Sequence, residues 1–475
     1  MTVRARTSIQ LTQMSLLIVL SAAFATLIVA GGSDLPKIWV AISITVALCV
    51  TIWGATRSGL LTFGQMDRWA WAVLLSHTVF TSRVRDPRDL LDSNTPPADI
   101  AIEIFIWAII LAYAAFRLFF DLRIMRGLNT WTARLSMLFF AAALGSSLYA
   151  ANPLITMAWS FKLLTTIVMS LVLARAEGPL DPLARFISAC HTGLCLMLVQ
   201  FFLLGALSPS AAYDQSDVTG ILRLGGYIIP ATQLSAICGM VVTMNLVDVF
   251  SGRRHRFTMP LMISSALVMI LTLGRSGMIA TMLALGFVVL YYRRTSRLLV
   301  LCLIAVMLAV AIPGSTDTAW DIISRRQTAE QIGSLTGRVQ LWETAIELIL
   351  ERPFFGWGYV SGSRIAFLTA FRWWPAIHTH NAFLEILLTL GLAGASIVVL
   401  LLVSTFSYVI RSLRENGAEP NSSTRDSLVK MLALLILITA DGMFTSGFAG
   451  APRFEAVTLI GAALCIGTYR QASAT

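Results

Sequence analysis

The residues best suited to chemistry lie late in the chain, where His378, Thr379, His380 and Asn381 close its one long hydrophilic stretch. A neutral imidazole accepts a proton near neutral pH, so His380 reads either as a general base or as a structural histidine. His378 is two residues away, a spacing that suits ligands on a strand, but a metal site there is unsupported by nearby carboxylates or cysteines and none is expected. A second set is cationic and comprises Arg223, Arg275 and Arg338. Guanidinium groups hold phosphate through paired hydrogen bonds, which makes these three candidates for binding a lipid diphosphate. Each would otherwise be an ion pair with a carboxylate or a headgroup. Arg275 is the one charge in the apolar run Phe257–Tyr292, where an unpaired cation is costly. Lys162, also inside an apolar run, either snorkels, pairs across helices or joins the same anionic site. Trp357, Tyr359, Trp373 and Trp374 lie among glycines before His378 and form a candidate sugar-binding surface; an interfacial aromatic belt has the same composition.

The elements that must position these groups are hydrophobic. Of 475 residues, 57% are hydrophobic and 13% charged, with a mean hydropathy of +0.77. Soluble domains average about 45–50% apolar and about 25% charged, so the composition argues against a soluble fold. Apolar runs fall at 12–31, 36–54, 62–81, 100–120, 136–150, 155–175, 186–207, 227–249, 257–274, 276–292, 298–313, 382–410, 429–448 and 453–470. They predict an all-α, polytopic transmembrane bundle of about 12–14 spans. The segment 62–81 is the doubtful one, because Asp67 and Arg68 shorten its apolar part. Keeping it puts the clusters Arg123/Arg126/Arg134, Arg253/Arg254/Arg256 and Arg293/Arg294/Arg297 on the side of the N-terminus, as the positive-inside rule requires. Both termini are then cytoplasmic. The +10 charge thus reflects topology, with the lipid bilayer as partner and no nucleic acid. Arg4 and Arg6 before Leu16–Ala30 could open a signal peptide, but the next apolar run and the parity favour a retained span. The six cysteines lie inside apolar runs with no CxxC pair, as small core residues do.

The same parity places 208–226, the Arg275 turn and the hydrophilic stretch 314–381 together on the outer face. A loop of that length carries function or structure of its own. The chain therefore divides into an N-terminal bundle (1–313), a large periplasmic loop (314–381) and C-terminal helices (382–475). Within the loop, Val339, Trp342, Ala345, Ile346 and Ile349 recur at helical spacing opposite Glu343 and Glu347, which predicts an amphipathic helix ending before Pro353.

The segment from His380 resembles the O-antigen ligase and polysaccharide polymerase superfamily of bacterial envelope proteins. That family's pattern is His, then Asn, Ser or Gln, nine residues, then Gly-x-x-Gly followed by Thr or Val. Here it runs His380, Asn381, nine residues from Ala382 to Leu390, Gly391, Leu392, Ala393, Gly394, and then the departure Ala395. Gly337-Arg338 with Trp342, and Arg352-Pro353 with Gly356 and Gly358, resemble the family's entry helix and the turn after it. Leu273-Gly274-Arg275-Ser276-Gly277 is similar to its intramembrane arginine motif, with Gly274 where Ser is more usual.

The resemblance implies a metal-independent, cofactor-free, inverting glycosyl transfer at the bacterial inner membrane, from an undecaprenyl-diphosphate-linked oligosaccharide to a hydroxyl of a glycan or lipid acceptor. His380 would deprotonate that hydroxyl, Glu385 would orient or polarise the imidazole, and arginines would stabilise the departing diphosphate. The reading leans to an exopolysaccharide or O-antigen polymerase, with ligation to lipid A core or protein as the alternative, and other polysaccharide export proteins as partners. A transporter or flippase is the competing class. It would call for buried acids or matched broken helices, whereas Asp248, Glu385 and Asp441 fall at span ends.

Overall fold

The computed structural model of the protein describes residues 62–82, 98–176, 181–215, 222–226, 228–253, 255–293, 338–370, 378–415 and 423–474. The predicted spans 12–31, 36–54 and 298–313, together with Trp373 and Trp374, lie outside the described residues. The chain folds as an all-α bundle: α1 (Phe63–Ser82), α2 (Ala98–Phe120), α3 (Trp131–Gly145), α4 (Pro153–Arg175), α5 (Pro182–Leu207), α6 (Ala231–Phe250), α7 (Thr258–Thr272), α8 (Arg275–Tyr291), α9 (Arg338–Glu351), α10 (Ser361–Ala370), α11 (Ala382–Glu415), α12 (Ser423–Gly442) and α13 (Phe454–Ala474). Among them α4, α5, α6 and α11 are long and apolar enough to cross a membrane. A short antiparallel ribbon, β1 (Tyr213–Gln215) with β2 (Leu222–Leu224), follows α5 and sets Asp214 opposite Arg223.

Local chemistry fixes several helix starts. Asn152 and Asp181 accept hydrogen bonds from the amides of Ile155 and Ala184 at 3.2 and 2.7 Å, and each is followed by a proline at the first helical position of α4 and α5. Of the two charges that made 62–81 doubtful as a span, Asp67 is neutralised inside the bundle and Arg68 reaches the Ser188 hydroxyl of α5 at 3.5 Å. Asp67 takes two hydrogen bonds of 3.0 Å from Arg117 on α2 and one of 2.6 Å from Tyr113, while Trp71, Leu74 and Leu75 of α1 are fully buried.

The run Phe257–Tyr292 breaks into α7 and α8 at the expected turn. Leu273 adopts φ +50° and Gly274 follows. A Cβ on Gly274 would lie 2.6 Å from the Ser235 Cβ of α6, and the Ser235 hydroxyl donates to the Gly274 carbonyl at 3.1 Å. Close approach to α6 thus accounts for glycine where serine is usual.

The two glycine-bearing motifs near His380 prove to be one device. Within α11, Gly391 stands at φ +61°, ψ −161°, a conformation essentially reserved for glycine, and the helix kinks there. The backbone released by the kink pairs with the segment after α9. Leu392 and Ala393 donate to the carbonyls of Pro353 and Phe354 at 2.8 and 3.1 Å, and Trp357 and Gly358 donate to those of Leu388 and Thr389 at 2.9 Å each. A broken helix in an apolar setting is tolerated only when its freed groups are satisfied in this way. A small core of Leu341, Ala345, Leu348, Phe367 and Leu388 then ties α9 and α10 to the first part of α11. The buried face of α9 is accordingly not quite the predicted one. Leu341, Ala345 and Leu348 face inward, whereas Val339 and Ile346 are exposed, because α11 meets the neighbouring stripe.

Candidate functional site

His380 occupies a tight turn held from both sides. Asn381 caps α11, its side-chain oxygen accepting from the amides of Phe383 and Leu384 at 2.9 and 3.1 Å, which explains a polar residue after the histidine. Glu385, in the first turn of α11, reaches back and accepts from the Thr379 amide at 2.9 Å and from its hydroxyl at 3.1 Å. The Trp342 indole donates to the Thr379 carbonyl at 3.0 Å. Thr379 is therefore a fully bonded peg, and the histidines on either side project from it with ring centroids 4.1 Å apart, edge to face. His380 itself is held at φ +52°, a costly conformation for a non-glycine residue. Its imidazole makes no hydrogen bond among the described residues. Of the two roles expected for Glu385, orienting or polarising the imidazole, the geometry fits the first: one carboxylate oxygen takes both Thr379 bonds and so holds the turn that carries His380.

Cations surround this turn. Burial, with Arg338 and Arg453 nearby, pulls the His380 imidazole down to about 3. His378 is lowered well below the ordinary range by burial, His380, Arg453 and Arg364. Arg338, the first described residue of α9, is itself lowered by burial and by Arg275, and has Asp441 as its nearby anion. Three helices begin here: α8 at Arg275, α11 just after His380, and α13 just after the buried Arg453. A helix N-terminus carries about half a positive charge and normally attracts acids. Helices α11 and α13 carry such acids, Glu385 and Glu455, in their first turns, while Arg275 opens α8 and Arg453 precedes α13, so that helix N-termini and cations gather at one place, as an anion site requires.

The structure thus brings Arg275, Arg338, His380 and Glu385 together. Lys162 instead forms a buried ion pair with Glu103 of α2, its ammonium 4.0 Å from the Trp159 ring centroid; of its three expected roles, it takes cross-helix pairing. Arg223 sits on β2, which packs against α7, the helix that ends at the Arg275 turn. Tyr359 is corrected from sugar surface to core: it is 1% exposed, its hydroxyl donates to the Gly450 carbonyl at 3.0 Å, and its ring packs edge-on to Phe139. Trp357 remains partly accessible, with Arg352 4.1 Å over its ring.

Sequence reasoning missed Arg364, Arg453 and Glu455, and noted Asp441 only as an acid at a span end. Asp441 ends α12, accepts from Thr445 at 3.0 Å and faces Ser276, the residue after Arg275. Glu455, buried in the first turn of α13, lies within electrostatic range of Asp441 and Arg453. Arg453 met the rule that singled out Arg275, a cation beside an apolar run on the outer face, but a short turn drew no attention to it.

Comparison with known proteins places these features in context. Residues 260–399 match the family model described as O-Antigen ligase. A stretch of 97 residues is 31% identical to the exopolysaccharide production protein ExoQ of Rhizobium meliloti (strain 1021), covering 19% of this chain and 22% of that protein. The family match spans Arg275, Arg338, His380, Glu385 and Gly391, and it bears out the resemblance read from those residues. Arg453 and Asp441 reach the site from beyond it. The chain is a membrane protein of helical fold that over these stretches is similar to proteins described as O-Antigen ligase and exopolysaccharide production protein.

Proposed function

We propose that the protein is a glycosyltransferase of the bacterial inner membrane that moves a lipid-diphosphate-linked glycan onto an acceptor hydroxyl on the outer face, acting as an exopolysaccharide polymerase. The observation that carries this reading is the set of cations gathered at converging helix starts around a histidine whose ring makes no hydrogen bond among the described residues. Arg275 and Arg338, with Arg453, form the anion seat. A lipid diphosphate placed there develops charge as the bond to the anomeric carbon breaks, and fixed guanidinium groups stabilise that charge preferentially. His380 removes the acceptor hydroxyl's proton as the oxygen attacks the anomeric carbon, with inversion. Lys162 is left out of the seat because Glu103 already neutralises it.

The cations that seat the diphosphate also weaken the base. Burial, with Arg338 and Arg453 adding to it, disfavours the imidazolium, so His380 is a poor proton acceptor before the donor binds. A bound diphosphate supplies the compensating negative charge, and the donor therefore prepares the base for the acceptor. The name of the relative, exopolysaccharide production, and the Ala395 departure favour polymerisation over ligation.

A transporter reading has one observation in its favour, the broken helix α11 together with buried Asp441 and Glu455. The break is filled by the Pro353–Gly358 backbone and so offers no open ion site. The test is complementation of a null strain with wild type, His380→Ala and Arg275→Ala, each checked for insertion, with surface and secreted glycan resolved by size. Loss of long polymer with accumulated single repeats supports the polymerase. Polymer of normal length retained on its carrier means a ligase, and normal glycan from both variants rejects the catalytic assignment.

A further inference from the structure

A cavity of about 480 Å³ lies between the α3–α4 turn, α9 and α10, away from the histidine turn. Tyr149, Glu351, Arg352, Trp357, Ile365 and Thr369 are among its lining residues. Trp357 is fixed there as a platform: its indole N–H donates to the Leu348 carbonyl at 2.9 Å, and Arg352 stacks on its ring. Tyr149 is anchored through its hydroxyl to the Phe355 carbonyl at 2.7 Å. The volume falls within the range of small-ligand sites, about 300–1,000 Å³.

The lining combines apolar and aromatic surface with hydrogen-bonding groups, and a pyranose ring matches both, with C–H patches on its faces and hydroxyls around its rim. Glu351 and Arg352 adjoin in sequence and cancel in charge. An anionic headgroup would meet the Glu351 carboxylate, and a bare acyl chain would bury both charged groups, so a neutral saccharide fits best. The position of the cavity matters as much as its lining. Helix α9 begins with Arg338 in the anion seat and ends with Glu351 at the cavity, about 20 Å apart at 1.5 Å per residue. Helix α10 is a shared wall, with Arg364 in electrostatic range of His378 and Glu385 while Ile365 and Thr369 line the cavity. The separation is longer than a single sugar residue.

We propose that this cavity is a remote saccharide subsite, which holds a neutral segment of the growing glycan several residues from the reacting end and so favours extension of long chains over their release. The proposal rests on the polymerase reading given above. Its test uses the full-length protein in lipid nanodiscs with a lipid-diphosphate-linked repeat unit, following first transfer and the product ladder separately. Thr369→Trp and, as a second obstruction, Ala370→Trp place an indole at exposed positions of the rim. The ratio of long product to first-transfer product is expected to fall about tenfold or more in both. An unchanged ladder overturns the subsite, and so does an equal loss of first transfer and long product, the result expected of a lipid seat or a damaged fold. Failure of the wild type to transfer at all would instead reject the polymerase reading on which the subsite depends.

Discussion

Donor binding should shift the acid limb of catalysis. In the free protein the His380 imidazole is pulled down to about 3 by burial and by Arg338 and Arg453. Relative to an ordinary histidine near 6.5, that amounts to about 5 kcal/mol in favour of the neutral ring. One negative charge at about 6 Å, in an effective dielectric constant of about 20, returns about 3 kcal/mol, or about two pH units. The sign follows from the active form. Neutral His380 is the base, so activity falls as pH drops through its pKa, near 3 in the free protein and near 5 with donor bound. The value of kcat/KM for the donor reports the free protein, and kcat reports the complex. Between pH 4 and 8, kcat/KM for the donor should stay nearly flat at its acid end, while kcat halves near pH 5. Arg453→Gln removes a cation and should raise the free-protein limb, narrowing the gap. Coincident acid limbs, or a kcat limb below that of kcat/KM, would refute the coupling between diphosphate and base.

Two further outcomes test the scaffold. Gly391→Ala forces a side chain into a glycine conformation at a cost of about 1–3 kcal/mol, and its Cβ would lie 2.4 Å from the Phe354 carbonyl carbon. It should lower the thermal midpoint in detergent and expose the 353–358 segment to protease; unchanged melting and cleavage would count against the docked-backbone account. Glu385→Gln keeps an oxygen for the Thr379 amide and should cost kcat only modestly, whereas Glu385→Leu leaves that buried N–H unpaired, at about 1–3 kcal/mol, and should cut kcat at nearly constant donor KM. Equal kcat for the two would show that the turn does not depend on this carboxylate.

The helices were largely legible because apolar runs and their breaks are local properties of sequence. Gly274 and Arg275 mark the α7–α8 turn, and Pro353 marks the end of α9. The motif residues were legible as types but not as roles. Glu385 is five residues from His380, a separation that suggests contact between side chains, yet the turn at φ +52° swings the imidazole away and leaves Thr379 under the carboxylate. Tyr359 looked like a ligand surface because aromatics beside glycines serve both cores and sugars; only packing against Phe139 and Gly450 separates the two. Lys162 had no acid near it in sequence because its partner, Glu103, is on another helix.

The arrangement around His380 runs against ordinary preferences for stability. Cations at helix starts oppose the macrodipole by about 0.3–1 kcal/mol each, a non-glycine residue sits at positive φ, and burial, with Arg275 adding to it, disfavours the charged form of Arg338. The electrostatic costs among these are offset by one event, the arrival of an anion between the arginines. Asp441, placed beside Arg338 and facing Ser276, supplies part of that charge before the donor binds. It is a weaker substitute than a diphosphate, because it carries one charge and is fixed to α12. The unfavourable electrostatic terms in the free protein therefore become binding energy for the donor. They come from residues that converge only in the folded bundle, two of them, Asp441 and Arg453, from beyond the family-matched segment.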